Sequence, residues 1–368
     1  MSLFLNSLKL SNFRNYSGSE HYFNFHEKTV FIIGPNAVGK SNLIEAINYV
    51  SFGAHRETDK LIISHDAKED FFSIEADYKL EERNFHLLVS SGQAGKVVKL
   101  NGVSHRYLSS IREEAIKVVV FKAKESLDIV RGSPSKRREW LDTVLSLLDI
   151  KYSDFLKRFN RVLEQRNTLL KQLFEGKSRN QIISELEPWD DELVKYGFYL
   201  VSCRAKFITE SQRQFSENYK KIGDSSPELP SLGYLPSIMP LDEKKFLERI
   251  VQNHSQDLMR GQTLLGPHRD DFQFLLDEHE VKHFGSQGQQ RTCALALKLM
   301  QLEIWKEELG YSPVLLLDDV AAELDLERQE ALFKALPSES QIFITTTHLV
   351  NLPTLSKNDY QIIKLLRT

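Results

Sequence analysis

The residue pattern points to an α/β fold: a phosphate-loop sheet carrying an antiparallel β subdomain, interrupted by an inserted, mainly helical domain. Three features carry that expectation. Over residues 28–50 a β-branched apolar run, a glycine-containing loop and a helix-period pattern follow in immediate succession. Residues 133–222 carry apolar residues at helical spacing. A second apolar run, Val314 to Leu317, ends in two aspartates far from the first loop in sequence.

Taken in order, Leu3 to Leu10 reads as a first strand and Asn12–Tyr16 as a turn. Lys28 to Ile33 is a second strand that stops at Gly34; Leu43, Ile44, Ile47 and Val50 then repeat with the helix period. Residues 71–103 alternate and carry the turn signals Ser91–Gly92 and Asn101–Gly102, so short antiparallel strands are expected. Ile116 to Phe121 is another strand.

Ser133 and Pro134 read as N-cap and first helical residue, followed by Trp140, Leu141, Val144, Leu145 and Leu148 at helical spacing. A longer stripe runs from Tyr152 to Phe174, and a third through Leu193, Tyr196, Leu200, Phe207 and Phe215. Broad stripes on short segments suit a packed helical subdomain better than a long coiled coil. Ser225 to Pro240, with Pro227, Pro230, Pro236 and Pro240, reads as a loop or boundary. Beyond it Gln287–Trp305 reads as a helix and Ile342–Thr346 as a buried strand. The expected division is 1–120, 121–255 and 256–368, with the middle segment inserted between two lobes.

The chain has 368 residues, of which 41% are hydrophobic and 27% charged, enough for a sizeable core and two domains. Its net charge of −3 provides no global basic field, so nucleic-acid binding would need a local patch; the charge alone favours a protein with no polyanionic partner. Cys203 and Cys293 lie far apart and outside any metal-ligand spacing, which argues against a zinc site or disulfide framework. No apolar run approaches the roughly 18 residues of a membrane span, and the N-terminus lacks a signal-peptide pattern. A cytoplasmic, membrane-free protein is the expectation.

Residues 34–41, Gly-Pro-Asn-Ala-Val-Gly-Lys-Ser, match the full phosphate-loop pattern in its confirming strand-to-helix context. The candidate nucleotide-binding residues are therefore Gly34, Pro35, Asn36, Ala37, Val38, Gly39, Lys40, Ser41 and the trailing Asn42. Gly34 and Gly39 let the backbone wrap an anion without Cβ clashes, and successive loop N–H groups with the helix start supply positive potential. Lys40 suits the β- and γ-phosphates of ATP, and Ser41 offers its hydroxyl to Mg²⁺. In an open α/β sheet, ligands bind at the carboxyl ends of strands. Asp318 is therefore the expected Mg²⁺ partner and Asp319 the residue that orients or activates water. By itself an apolar run ending in two aspartates is also what a strand entering a turn looks like.

Ser286-Gln287-Gly288-Gln289-Gln290-Arg291 stands directly before a helix and shortly before the acidic strand. It resembles the signature of ABC ATPases, with Ser286, Gly288 and Gln289 in the matching places. The same hexapeptide alone reads equally as a polar helix cap. The ABC resemblance implies that this motif contacts the γ-phosphate held by a second copy, so that ATP joins two heads. Glu323-Leu324-Asp325 stands at the D-loop position of those proteins. His348 stands at their switch-histidine position, where a structural role is equally open. Those proteins carry glutamate where this chain has Asp319; the side chain is one methylene shorter, and slow turnover is expected.

Within that class the chain resembles the RecF family over essentially its whole length. The resemblance rests on Asn12-Phe13-Arg14-Asn15-Tyr16, on Gly34–Asn42, on Gly132-Ser133-Pro134 with Arg137, Arg138, Leu141 and Asp142, and on Gly266-Pro267-His268-Arg269-Asp270-Asp271. It departs at Lys124, where that family has proline, and no glutamine occurs over 121–128 to serve as a Q-loop. The resemblance implies an SMC-like head without long coiled coils, with Arg14 at the nucleotide. It implies ATP-dependent homodimerisation, binding of duplex DNA and gap junctions, action with RecR and RecO, and RecA loading in gap repair. The other readings are a transporter's nucleotide-binding subunit, another SMC-like head, or a scaffold using ATP as structural glue.

Basic residues outnumber acidic ones over 112–180. Lys136, Arg137, Arg138, Lys157, Arg158 and Arg161 are the candidate DNA-phosphate contacts, with Arg166 on the same helix. A solvated helix face explains such a run too, and Arg137 and Arg138 could be structural.

Overall fold

The computed structural model describes residues 3–18, 20–51, 62–64, 67, 70–93, 95–223, 228–239, 242–320, 324, 326–347 and 360–366. His348, Glu323 and Asp325 fall outside the described residues. The chain forms two compact units. One comprises Met1–Ser126, Lys220–Asp224 and Leu295–Thr368; the other comprises Leu127–Tyr219 and Ser225–Ala294. Residues 256–294 thus fold with the helical insertion rather than with the C-terminal lobe expected for them. The physical reason is strand pairing: Asp271–Leu276 is bonded along its length to Pro230–Leu235 of the insertion.

The first unit holds two sheets. Strands β1 (Leu3–Ser11), β2 (His21–Asn24), β4 (Phe71–Leu80), β5 (Arg83–Gly92), β6 (Gly95–Leu100) and β7 (Val103–His105) form an antiparallel sheet ordered β2-β1-β4-β5-β6-β7. Strands β3 (Thr29–Ile33), β8 (Val118–Lys122), β12 (Val314–Asp318), β13 (Ile342–Thr346) and β14 (Tyr360–Lys364) form a parallel sheet ordered β14-β3-β13-β12-β8. The parallel strands β3, β12 and β13 are near-continuous apolar runs, as strands covered on both faces must be. Buried Gln341 ties the two sheets together. Its amide accepts from Leu5 N at 2.7 Å and donates to Leu5 O at 2.9 Å, replacing a ladder partner that β1 would otherwise lack.

Helix α1 (Lys40–Tyr49) follows β3 and buries Leu43, Ile44, Ala46, Ile47 and Tyr49. After α2 (Ala123–Arg131), the second unit carries α3 (Pro134–Leu148), α4 (Ile150–Lys171), α5 (Arg179–Glu210), α7 (Glu243–Gln252), α8 (His254–Arg260) and α9 (Val281–Phe284). Helices α6 (Gln212–Ile222), α10 (Gln287–Leu309) and α11 (Leu326–Ala335) take the remaining places in chain order. A three-stranded sheet, β11-β10-β9, joins β9 (Pro230–Leu235), β10 (Asp271–Leu276) and β11 (His279–Glu280).

Some local expectations change. Segment 225–240 contains β9, because Pro230 occupies the first strand position, where a missing N–H is tolerated. The helical segments are not short: α5 runs for 32 residues with Pro188 inside. Phe174 lies beyond α4 and is 67% exposed, and Phe215 belongs to α6. Strand β2 carries no sequence signal; its four residues form no apolar run, and pairing with β1 creates it.

Candidate functional site

Parallel pairing gathers the site at one sheet edge. Strand β13 lies between β3 and β12, with Thr346 in register with Ile33 and Thr345 in register with Asp318. The loop after β3, the end of β13 and the end of β12 therefore open side by side. This is the carboxyl edge at which α/β sheets bind ligands.

The phosphate loop needs two left-handed residues, Ala37 at φ 67° and Gly39 at φ 101°. Lys40 is 5% exposed, and its ammonium donates to the carbonyls of Gly34 and Pro35, each at 2.8 Å. Leu43 N donates to Gly39 O at 3.0 Å, which starts the α1 ladder at the loop. The Ser41 hydroxyl donates to Asp318 Oδ1 at 2.9 Å, and Thr345 Oγ1 donates to the same oxygen at 2.7 Å. Thr345 Oγ1 also accepts from Asp319 N at 2.9 Å. Asp319 sits at φ 52°, a left-handed conformation that aspartate tolerates better than longer side chains do. That preference gives a backbone reason for an aspartate at position 319.

Asn36 and Val38 differ from Lys40 and Ser41 in what their side chains do. The Asn36 side chain is exposed, and neither it nor Val38 shares in the bonds from Lys40 to the Gly34 and Pro35 carbonyls or in the bond from Ser41 to Asp318. Val38 is half-buried and apolar, and its Cγ2 would stand 2.9 Å from a Cβ added at Gly34. Its side chain packs the loop against itself and has no donor to give. What Asn36 and Val38 offer an anion is the peptide N–H, which no local side-chain rule distinguishes from that of any other residue. Pro35, also exposed, lacks even that donor and gives its carbonyl to Lys40.

The structure thus brings together Gly34–Asn42, Asp318 and Asp319. Sequence reasoning misses Thr345, which fixes both aspartates; a threonine inside a strand carries no signal until its neighbour is known. Arg14 lies at φ 55° and its guanidinium forks onto Glu45, with bonds of 3.0 and 2.6 Å.

The donor set fits a nucleotide with a hard cation. Gly34 and Gly39 occupy positions where a Cβ would collide, with Leu365 O and the Asn15 side chain respectively, so the loop backbone packs directly against those neighbours. A hydroxyl and a carboxylate joined through one oxygen are hard ligands of the type Mg²⁺ takes alongside phosphate oxygens. Among the described residues no group of three or more His, Cys, Asp or Glu forms a self-sufficient metal site.

In the second unit Ser286 and Gln289 cap α10 reciprocally. Ser286 N donates to Gln289 Oε1 at 2.6 Å and Gln289 N to Ser286 Oγ at 3.2 Å, a capping box. The Gln289 amide also donates to Glu228. Ser286 is exposed, while Gly288 and Gln289 are half-buried.

The basic candidates divide. Lys136, Lys157, Arg158 and Arg161 are exposed, Lys136 paired with Glu139 at 3.1 Å and Arg158 with Asp154 at 2.8 Å. Arg137 is 3% exposed and forks onto Asp271 at 2.6 and 2.8 Å, so it leaves the DNA-contact set: its charge is committed inside the fold. Arg138 is half-buried and donates to Asp270 O at 2.7 Å. Arg166 is fully buried between Asp190 and Asp257, both at 2.8 Å, and offers nothing to a ligand.

The family model for the RecF/RecN/SMC N terminal domain matches residues 4–363. A DNA replication and repair protein RecF of Microcystis aeruginosa is 36% identical over 361 residues, covering 94% of each chain. A solved structure of the recombination mediator protein RecF-ATP in the RecFOR pathway is similar with TM-score 0.84 at 32% identity, covering 95% of this chain and 94% of that one. An Smc head domain with an extended coiled coil, bound to the C-terminal domain of ScpA from Pyrococcus furiosus, shares the fold. Its TM-score is 0.52 at 16% identity, covering 94% of this chain and 90% of that one. Among the described residues no helix is long and apolar enough to cross a membrane.

Proposed function

The chain belongs to the RecF family of DNA replication and repair ATPases, and we propose that it is an ATP-gated clamp on DNA whose ATPase site is the Gly34–Ser41 loop with Asp318 and Asp319. The observation that carries the reading is the Ser41–Asp318 hydrogen bond of 2.9 Å, which joins the phosphate loop to the acidic strand end.

Lys40 turns from the loop carbonyls to the β- and γ-phosphates, and the N–H groups of the loop, those of Asn36 and Val38 included, hold the remaining phosphate oxygens. Ser41 and Asp318 hold Mg²⁺, which when bound supplies neutralising charge for phosphoryl transfer. Thr345 fixes Asp318 and the Asp319 backbone, and the Asp319 carboxylate orients the attacking water and accepts its proton. Turnover is slow. The Ser286, Gly288 and Gln289 signature of a second copy closes on the γ-phosphate, so ATP favours a homodimer.

Exposed Lys136, Lys157, Arg158 and Arg161 contact duplex phosphates without reading sequence, and the signal of that contact is salt dependence. RecR- and RecO-like proteins are the expected partners at gap junctions, in support of RecA loading, in the cytoplasm.

The test is gel filtration of Asp319→Asn at micromolar concentration with and without Mg-ATP. A shift to twice the monomer mass with ATP is expected; a protein that stays monomeric while binding ATP overturns the clamp. A duplex-against-single-strand titration with a non-hydrolysable ATP analogue at several salt concentrations tests the DNA arm.

A further inference from the structure

Three consecutive residues after β1 each grip a different part of the phosphate loop and its helix. Arg14 forks onto Glu45 in α1. Asn15 Oδ1 accepts from Asn42 Nδ2 at 2.7 Å. The Tyr16 hydroxyl donates to Gly39 O at 3.0 Å. Tyr16 is buried, and that burial pushes its pKa well above the ordinary tyrosine value, so the hydroxyl stays protonated and a donor.

The gripping segment is itself anchored. Phe13 is fully buried and packs edge-on against Tyr49 and Phe72, with ring centroids 6.1 and 5.8 Å away. Arg14 N donates to Ile62 O at 2.8 Å and Tyr16 N to Phe13 O at 2.9 Å. Asn12 and Arg14 adopt φ of 53° and 55°, left-handed conformations that persist only where the surroundings fix them. Helix α1 is thus held at its first turn by Asn15 and Tyr16 and at its last by Phe13 against Tyr49.

We propose that Asn15 and Tyr16 are positioning residues for nucleotide binding, acting through the Gly39 peptide. Glycine visits left- and right-handed backbone with similar ease, so a glycine that must hold one of them needs an external restraint. At Gly39 the φ is 101°, the carbonyl is tied by Tyr16, and the Asn15 amide fills the space where a Cβ would stand. The next two residues are Lys40 and Ser41. A swing of peptide 39 would displace both from the phosphates, and a misplacement of about 1 Å is enough to cost about 100-fold in rate. Asn15 therefore makes glycine obligatory at 39 and, with Tyr16, sets its hand. The inference rests on the nucleotide-binding reading above.

The experiment uses the full chain with Tyr16→Phe, Asn15→Ala, Asn42→Ala and the double variant Asn15→Ala/Asn42→Ala. Tyr16→Phe keeps the ring contacts with His21 and Phe23, at 5.2 and 5.7 Å, and removes only the hydroxyl. ATP affinity is read with a fluorescent ATP analogue, KM and kcat by phosphate release, and Tm with and without Mg-ATP. Each hydrogen bond lost is expected to raise KM and weaken ATP affinity about two- to tenfold. The ATP-induced rise in Tm shrinks, while Tm without nucleotide moves by only a few degrees. The double variant is expected to be no worse than Asn15→Ala, because both changes break one bond.

Unchanged affinity and KM in Tyr16→Phe and Asn15→Ala overturn the proposal. So does a loss that disappears when the assay is run well below each variant's Tm, which would mark a purely structural role. Lys40→Ala separates the two levels. If it abolishes ATP binding while the Asn15 and Tyr16 variants bind normally, only the positioning role fails. If it binds ATP normally, the nucleotide site itself is wrong.

Discussion

Ser41 and Asp318 stand 277 positions apart in the chain, and the hydroxyl of one meets the carboxylate of the other at 2.9 Å. Parallel pairing of β12 and β13 with β3 produces that meeting, and Thr345 locks it by donating to the same carboxylate oxygen at 2.7 Å. A three-residue oxygen cluster of this kind has a definite mutational signature.

Asp318→Asn is expected to lower kcat for ATP hydrolysis by at least about 100-fold, the scale of losing one preorganised electrostatic group. Ser41→Ala acts in the same direction, and both raise the Mg²⁺ concentration needed for half-maximal rate. Thr345→Val, which removes the hydroxyl that fixes both aspartates, lowers kcat with a smaller effect on ATP affinity. Phosphate release across a Mg²⁺ titration reads all three.

Gly39→Ala should disable the loop without touching a functional group. The residue sits at φ 101°, and the new methyl would collide with Asn15. Strain at a left-handed position costs about 1 kcal/mol or more, and the collision adds to it. The expected outcome is loss of ATP-induced stabilisation in a thermal melt, with the protein still folded. Asn36→Ala, by contrast, removes an exposed side chain and keeps the peptide N–H, so the same melt should show the ATP shift nearly intact.

Arg137 and its exposed neighbours should separate cleanly. Removing Arg137 leaves Asp271 uncompensated at a largely buried ion pair, which costs about 3–5 kcal/mol. Arg137→Lys recovers little of it, because lysine cannot fork onto both oxygens. Lys157→Ala and Arg161→Ala should leave denaturant midpoints within error and weaken duplex binding, each reducing its salt dependence by about one ion. Midpoints for the first pair and binding isotherms for the second decide it.

His268 predicts an acid-side stability slope. Burial, reinforced by the nearby Arg269, Arg138 and Arg166 charges and opposed by the Thr263 hydrogen bond, lowers its pKa from 6.5 to about 4. Between those values the unfolded chain takes up a proton that the folded chain refuses, so this residue's contribution to stability falls as pH drops from about 6.5 to about 4 and is flat outside that window. His268→Gln should flatten that part of a stability-against-pH curve measured by chemical denaturation.

The loop, the acidic strand and the class of fold are legible in the residues alone, because each is written in contiguous positions. Eight consecutive positions define Gly34–Ser41, and an apolar run defines Val314–Leu317 as a buried strand. The antiparallel alternation of 71–103 is equally legible, since its period of two is local. Partnership is not. Arg137 and Lys157 look alike as basic residues on helices, yet one is locked to Asp271 and the other faces water. Asn36 and Val38 share a motif with Lys40, yet their side chains take no part in the bonds that Lys40 makes to loop carbonyls or that Ser41 makes to Asp318. Thr345, Asn15 and Tyr16 are ordinary residues until β13 and the turn after β1 carry them to Asp318, Asn42 and Gly39. A hydrogen bond depends on angles and distances set by packing over the whole sheet, and no local pattern of residue types encodes which distant side chain will arrive at 2.7–3.0 Å.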